Sequence, residues 1–599
     1  MEYTRTYSIR KGEYFADALK RAGKEFIPTN CIINKLLPGL GATHCELIAP
    51  RKSIIIEPNV PVIESKAKKH KNALAVYKGV TVRKIIDFLE DNHDRHYKLL
   101  TTPEGFAKIK EAMQTVGIDM YEECFILFDE CEKLVQDVHY RDSIREPMND
   151  FFLFQNKALI SATPIIPEKD NRFDGFARVL IQPDYAYRQK LKLITTNNVL
   201  ETLQEVIEAK RGTVCIFCNS IDSIDSFYRL IPELSNACTF CSEDGQYKLW
   251  KGNRRKKSMM ITELERYNFF TSRFYSAVDI ISSNPPHVIF ISDLFGATQS
   301  VIDPATEAIQ IIGRFRGGVN SVTHIASIRP DLECMSSTEI DDWIRGASTV
   351  YNNWKSQLAR TSNIGERTLL QEAIGENSYL PYLDDKGKPD PFLIANFYEK
   401  EQVKRLYTST DLLRDAYRQT DYFVFSHEER LMPVSDNERM AIQHRLAKKK
   451  RAELIVRKLE EMEKMSRTTD KKLQKRYQRM LGNLITSTAD RYIYDCFCCF
   501  GADFIRQSDY NENKLRTALN VSSEHTIKKS AQMRISIQRT FPIGSELSVQ
   551  EAKSMLKQVY KKMGLNTGRG ITTKELEQYA EIENNRNRTG RTIKILKFK

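Results

Sequence analysis

The sequence predicts an α/β protein: two tandem domains on parallel sheets, then a mostly helical C-terminal region ending in a winged-helix-like tail. Three observations carry this. Between residues 31 and 163, short and nearly continuous apolar runs alternate with helical stretches, the signature of strands covered on both faces. Between residues 190 and 327 the same alternation starts afresh. After residue 331 it gives way to long helical stretches and two proline-rich patches.

The chain's bulk properties narrow its class. Its 599 residues exceed one hydrophobic core, and roughly 150 residues per unit suggests about four units. Apolar residues at 41%, with 29 Phe and 26 Tyr, exclude a mainly disordered chain. No run of about 18 apolar residues is present, so no membrane span and no membrane partner are expected. The opening MEYTRTYSIRKGEYF has no apolar core after its basic residues and does not read as a secretory signal. A cytoplasmic protein is expected. Lys and Arg (91) exceed Asp and Glu (78) by 13, an excess that suits nucleic acid, an anionic surface or solubility alone.

Residues 1–27 precede the first strand as an extension. The first domain, 28–185, has strands at 31–35, 53–58, 73–77, 97–102, 124–130 and 157–163. The second, 186–330, has strands at 190–196, 213–220, 237–243, 268–272, 287–292 and 323–327. Proline-containing stretches at 164–167 and 181–183 read as the joint between them. Residues 331–440 mix helix and loop.

A basic helical segment occupies 441–485. Within 445–479, fourteen Lys or Arg face five Asp or Glu, and Leu459, Met462, Leu473, Tyr477 and Met480 form a partial apolar stripe. Its charge reads equally as the solvated face of a packed helix and as a nucleic-acid arm. After an accessory region, 486–548, the tail 549–599 reads as a helix, the turn GLNTGRG and a second helix capped by Thr572 with Glu575 as reciprocal partner. The basic loop NNRNRTGR and the strand TIKILKF follow. That order resembles a winged helix with Arg586, Arg588 and Arg591 in its wing; a basic packing domain is the alternative.

Four patches carry candidate chemistry. In PGLGATH (38–44), Gly39 and Gly41 let the chain turn tightly around Leu40 and Ala42, and Thr43 opens a helix whose positive end suits phosphate. A glycine turn before a helix is weak by itself. FILFDECE puts Asp129 and Glu130 at a strand end, where one carboxylate can hold Mg²⁺ while the other positions an attacking water. Ser161, Ala162 and Thr163 end the next strand, where hydroxyls can relay nucleotide state. QIIGRFRGG, after a helix start at 303–305, offers Gln310, Gly313, Arg314 and Arg316 to a transferring phosphoryl group. Each patch is modest alone; their joint order and spacing are strong.

Together they resemble the superfamily 2 DExx-box helicases and translocases, proteins of two RecA-like domains. Residues 39–43 stand at the phosphate loop, 129–132 at the DExx box, 161–163 at the SAT motif and 310–316 at the arginine motif. The resemblance spans about residues 25–330. It implies ATP and Mg²⁺ as ligands, the metal held through Thr43 and Asp129. It gives Asp129, Glu130, Gln310, Arg314 and Arg316 catalytic roles, and Ser161, Ala162, Thr163 and Asp279 a coupling role. Weaker matches at Glu57–Pro58 and 101–105 imply nucleic-acid contacts at Pro58 and Thr102. The implied activity is ATP-driven movement along DNA, with RNA left open.

Departures from the family shape these expectations. Ala42 stands where the phosphate-loop lysine belongs, and Lys35 at the preceding strand end is the candidate substitute. Ala277 replaces a common glycine, and Arg314 and Arg316 are two apart where many relatives have three. The unusual loop and attached basic modules tilt the expectation towards replication proteins of phages or mobile elements. Two other readings stand: a nucleic-acid-binding protein of this fold with weak or lost turnover, and the motor of a restriction-type system. Cys215/Cys218 and Cys238/Cys241 have zinc-ribbon spacing, but residues three apart on a strand point to opposite faces, so buried thiols and no structural zinc are expected. Cys496, Cys498 and Cys499 likewise read as core.

Overall fold

Both predicted parallel sheets form, each with eight strands. The computed structural model describes the whole chain except residues 1–2, 252–256, 259, 262, 277, 443–445, 467–473, 475, 478, 482–489, 566, 568–569 and 588–589. The chain divides into two units, Met1–Met432 and Pro433–Lys599.

In the first unit, the first sheet comprises β1 (Arg5–Ile9), β2 (Cys31–Asn34), β3 (Ser53–Ile56), β4 (Ala73–Val76), β5 (Lys98–Thr101), β6 (Phe125–Asp129), β7 (Asn156–Ser161) and β8 (Ala177–Pro183). Their order is β1-β8-β2-β7-β6-β3-β5-β4, all parallel. β3, β5 and β6 bury every residue, because helices cover both faces. Alternate side chains feed two cores: Ile54 and Ile56 enter one and Ile55 the other.

Two strands depart from the sequence reading. Residues 181–183, read as a joint, are the end of β8, which pairs on both sides. Pro183 is its last residue, so its missing N–H ends the ladder instead of interrupting it. The N-terminal segment supplies β1, an edge strand that fully buries only Ile9 and therefore shows no apolar run.

The second sheet comprises β9 (Gln189–Thr196), β10 (Val214–Phe217), β11 (Cys238–Phe240), β12 (Lys257–Ser258), β13 (Tyr267–Phe270), β14 (His287–Ser292), β15 (Ser321–Ser327) and β16 (Phe423–Arg430). The order is β12-β11-β13-β10-β14-β15-β9-β16, again parallel throughout. Cys215 and Cys238 pack into the core on one face, Cys218 and Cys241 into the core on the other. Neither pair converges on one point.

Within 331–440, read as helix and loop, β16 extends the second sheet. The segment leading to it crosses from one domain to the other. Helix Pro391–Leu406 buries Phe392 and Leu393 in the first domain's core, and Asn396 Nδ2 donates to the Val135 carbonyl at 2.7 Å. Tyr407, Leu413 and Tyr417 then enter the second domain's core. The Tyr407 hydroxyl donates to the Ile302 carbonyl (2.7 Å), and Tyr417 OH lies 2.7 Å from His324 Nδ1. Burial pushes His324 down to about 3, so it packs as a neutral ring.

In the second unit, helix Lys448–Ser466 packs one face inward: Ile455, Val456, Leu459 and Met462 are buried. Met480 is buried and Tyr477 half-buried, while Leu473 lies outside the described residues. Cys496 is core, but Cys498 and Cys499 are exposed, which corrects their reading: on helix Arg491–Gln507 consecutive residues cannot all share the buried face.

The tail is a three-stranded antiparallel sheet, β17 (Glu546–Ser548), β19 (Gly590–Phe598) and β18 (Ala580–Asn587) in that order, with helices on it. Its core takes Met533 and Ile537 from helix Ala531–Thr540 and Phe541 just after it, so the core reaches back before residue 549. Thr572 and Glu575 form the predicted capping box, but on a six-residue 3₁₀ segment, Thr573–Gln578. The basic stretch read as a loop belongs largely to the β18–β19 hairpin: Arg586 and Arg591 stand directly opposite, both exposed, while Arg588 lies outside the described residues. Among the described residues no helix is long and apolar enough to cross a membrane.

Candidate active site

The order of the first sheet sets the site. β2, β7 and β6 are neighbours, so the loops after their C-terminal ends gather at one edge. The Lys35 N–H donates to the Ser161 carbonyl at 2.8 Å, which ties the loop after β2 to the end of β7. The chain then turns with Gly39 and Gly41 at φ of 83° and 79° and enters helix Ala42–Ile48. The positive φ favours glycine at 39, where a Cβ would also lie 1.6 Å from Arg316 Nη1 and displace that guanidinium from the loop.

Three charged layers follow. The Thr43 hydroxyl donates to Asp129 Oδ2, and Lys35 Nζ stands 3.2 Å from Asp129 Oδ1 and 4.0 Å from Glu130 Oε1. Lys66, on helix Val60–Ala67, donates to both Glu57 oxygens and to Thr43 Oγ1, each at 2.8 Å. Behind them, Gln310 Nε2 donates to Glu132 Oε1 (3.0 Å) and Thr163 Oγ1 (3.1 Å).

Burial and neighbouring charge divide the carboxyls. Burial would raise Asp129, but Lys35, Lys66 and the Thr43 hydroxyl outweigh it and hold the group down at about 2. Glu130 is lowered for the same reason: burial opposes, Lys35 and Arg314 prevail. Glu132 is raised, first by burial and then by Glu130. Glu57 is pushed up to about 7 by burial, with Lys66 opposing. Burial alone would depress Lys35, yet Asp129, Glu130 and Glu132 hold it up to about 12.

The second domain supplies the other wall. Helix Glu307–Gly313 abuts the loop after β2 so closely that a Cβ on Gly313 would lie 2.2 Å from Pro38 Cβ. Arg314 is buried: its Nε donates to the Gln310 carbonyl and its Nη2 to Gln310 Oε1, both at 3.1 Å, with Nη2 3.9 Å from Glu130 Oε1. Arg316 is half-exposed and paired with Asp279 Oδ1, its Nε at 3.0 Å. A spacing of two residues therefore still brings both guanidiniums to the cleft.

One cavity of about 410 Å³ collects these groups: Lys35, Gly39, Gly41, Ala42, Thr43, Asp129, Glu130, Asp279, Arg314 and Arg316 all line it. Ser161, Thr163 and Gln310 stand buried behind it. Leu40 instead packs into the core, its carbonyl accepting the Phe15 N–H at 2.9 Å, and Ala162 is buried. Pro58 is on the cavity wall, whereas Thr102 is only 2% exposed. Ala277 lies outside the described residues. Sequence reasoning missed Lys66, which sits in the run KAKKHK and reads there as solvated charge. Glu57 was noticed only as the flank of Pro58.

No family model and no curated protein matches the chain. Among solved structures, it is similar to the Mycobacterium smegmatis helicase Lhr bound to single-stranded DNA and AMP-PNP: 13% identity, TM-score 0.30, 50% of this chain and 44% of that one. Against Saccharomyces cerevisiae Dbp5 bound to RNA and ADP BeF3 the values are 12%, 0.33, 50% and 80%. Against the ATP-dependent Type ISP restriction-modification enzyme LlaBIII bound to DNA they are 11%, 0.35, 90% and 38%. The chain thus spans under half the length of the first and third. At such distances these likenesses carry no argument, and the fold assignment, two RecA-like parallel-sheet domains in tandem, belongs to the chain's own strand order.

Proposed function

We propose that this chain is a nucleic-acid-dependent ATPase of helicase or translocase type, hydrolysing ATP between its two RecA-like domains. The observation that carries the reading is convergence. Thr43, Asp129 and Glu130 from one sheet edge share a cavity with Arg314 and Arg316 from the other domain. A site without turnover has no chemical reason to retain both walls.

Thr43 and Asp129 suit Mg²⁺, being a hydroxyl in contact with a carboxylate held anionic. Bound there, the metal supplies charge neutralisation on the phosphoryl oxygens. Glu130, kept ionised, orients the attacking water, and Lys35 keeps both carboxylates anionic. Arg314 faces the transferring group, and Arg316 covers the phosphate loop at Gly39. Gln310 bonds across the cleft to Thr163 and Glu132, so it links closure of the two domains to the state of the site. The basic helix and tail add affinity without sequence preference. Arg586 opposite Arg591 is unfavourable within a hairpin and is relieved by a polyanion.

The test is ATP turnover by the full chain with single-stranded and duplex DNA and RNA. Stimulation by at least one of them is expected. Purified protein that neither binds nor hydrolyses ATP, with or without nucleic acid, would overturn the reading.

A further inference from the structure

We infer that Lys66, tethered by Glu57, is the cation that grips the nucleotide's phosphates here, and that Lys35 serves the carboxylates instead. This rests on the ATPase reading above and assigns a part that Ala42 leaves unfilled.

The two lysines differ in what already holds them. Lys35 has a side chain 5% exposed and two carboxylates on it, Asp129 at 3.2 Å and Glu130 at 4.0 Å. Turning it to a phosphate would leave two buried carboxylates short of countercharge, which is strongly unfavourable. Lys66 is 30% exposed and lines the cavity. It leans on one carboxylate, Glu57, which lies 4% exposed just after β3 with its N–H bonded to the Thr101 carbonyl at 2.9 Å. Glu57 therefore fixes the ammonium from one side, and its other contact is to the neutral Thr43 hydroxyl, which an anion can replace.

Position points the same way. Lys66 Nζ lies 2.8 Å from Thr43 Oγ1, the hydroxyl at the start of the phosphate-loop helix. An ammonium one hydrogen bond from that hydroxyl stands beside the place a polyphosphate reaches when Gly39, Gly41 and Thr43 face it. A bound phosphate oxygen would take the N–H now given to Thr43, which frees the hydroxyl while Glu57 retains its two contacts. Glu57 is here a positioning residue: it acts on the nucleotide only through Lys66.

Equilibrium binding of a fluorescent ATP analogue to the full chain tests this, with thermal unfolding as a fold control. Lys66→Met should weaken binding roughly ten- to hundred-fold, the loss expected of a charge-assisted contact. Lys66→Arg should recover most of that loss, and Glu57→Gln should fall between. Lys35→Met should bind within several-fold of wild type yet fail to turn ATP over. Independently, acetylation of Lys66 in the wild-type protein, read by mass spectrometry, should be suppressed by ATP with Mg²⁺; this serves even if Lys66→Met does not fold. Normal binding by Lys66→Met, or acetylation of Lys66 unaffected by bound ATP, would overturn the inference. Wild-type protein that binds no ATP would instead remove the ATPase reading beneath it.

Discussion

Along the first sheet's edge, Lys35, Thr43, Glu57, Lys66, Asp129 and Glu130 touch in an unbroken chain of contacts. The second domain's arginines are held mainly at home, Arg314 by Gln310 and Arg316 by Asp279, and Arg314 approaches the first wall's Glu130 at 3.9 Å. One wall is already assembled, while the other is poised close to it. If the chain is the ATPase proposed above, nucleotide binding should depend on the first wall and turnover on how the second closes, and nucleic acid bridging both domains should favour that closure.

The largest effect should come from breaking the poised wall. Arg314→Ala is expected to lower nucleic-acid-stimulated turnover by on the order of 10³-fold or more, with nucleic-acid binding little changed. Lys at 314 should rescue poorly, lacking the planar donor fork. Arg316→Ala, at a half-exposed position, should lose about tenfold. Both activities must be measured on the same folded proteins; near-normal stimulated turnover in the double variant would dissolve the contrast between the walls.

Breaking the assembled wall should separate binding from chemistry. Glu130→Gln is expected to keep ATP affinity and cut steady-state phosphate release by roughly 10²–10⁴-fold. A smaller effect lies outside both walls. Removing the second unit, residues 433–599, should reduce nucleic-acid affinity about tenfold at low salt and flatten its salt dependence, provided the first unit stays folded. Equal affinity and equal slope would show that the basic charge is only solvated surface.

The smallest prediction concerns stability where helix Glu307–Gly313 meets the segment 391–406. Burial raises Glu307 from 4.5 to about 8 and Glu399 from 4.5 to about 7. The folded chain keeps protons there that the unfolded chain releases above 4.5, so stability falls as pH rises through that window. Glu307→Gln should raise the melting temperature at about pH 9, by on the order of a few kcal/mol in stability, and change little at about pH 4.5. Asp129 has the opposite sign: its contribution is full above the ordinary carboxylate range and is lost as pH falls towards about 2. Melting curves across pH check both.

Much of this was legible beforehand because it is local. β2 to β7 and most of the second sheet announce themselves as apolar runs, since strands buried on both faces need apolar residues at every position. The glycine turn at 38–44, Asp129, Glu130 and the arginines, which the structure brings to one cavity, were visible as short patterns, and the capping box of Thr572 and Glu575 follows from spacing alone. Edge strands were harder. β1 buries one residue in five and β16 one in eight; β1 has no apolar run and β16 only the short one ending at Phe425 before turning polar, so pairing with β8 and β9 is what makes them strands.

By itself, then, the sequence determined the fold class, the order of the motifs and which residue types could meet at the sheet edges. Only the tertiary structure decided that Lys66 rather than another of four neighbouring lysines turns towards Thr43, because that depends on how helix Val60–Ala67 returns along the sheet. It also decided that Thr102 is buried and that residues 391–430 strap the two domains together. Periodicity reports what a residue's own element requires, whereas these outcomes depend on partners tens to hundreds of residues away, which no local pattern encodes.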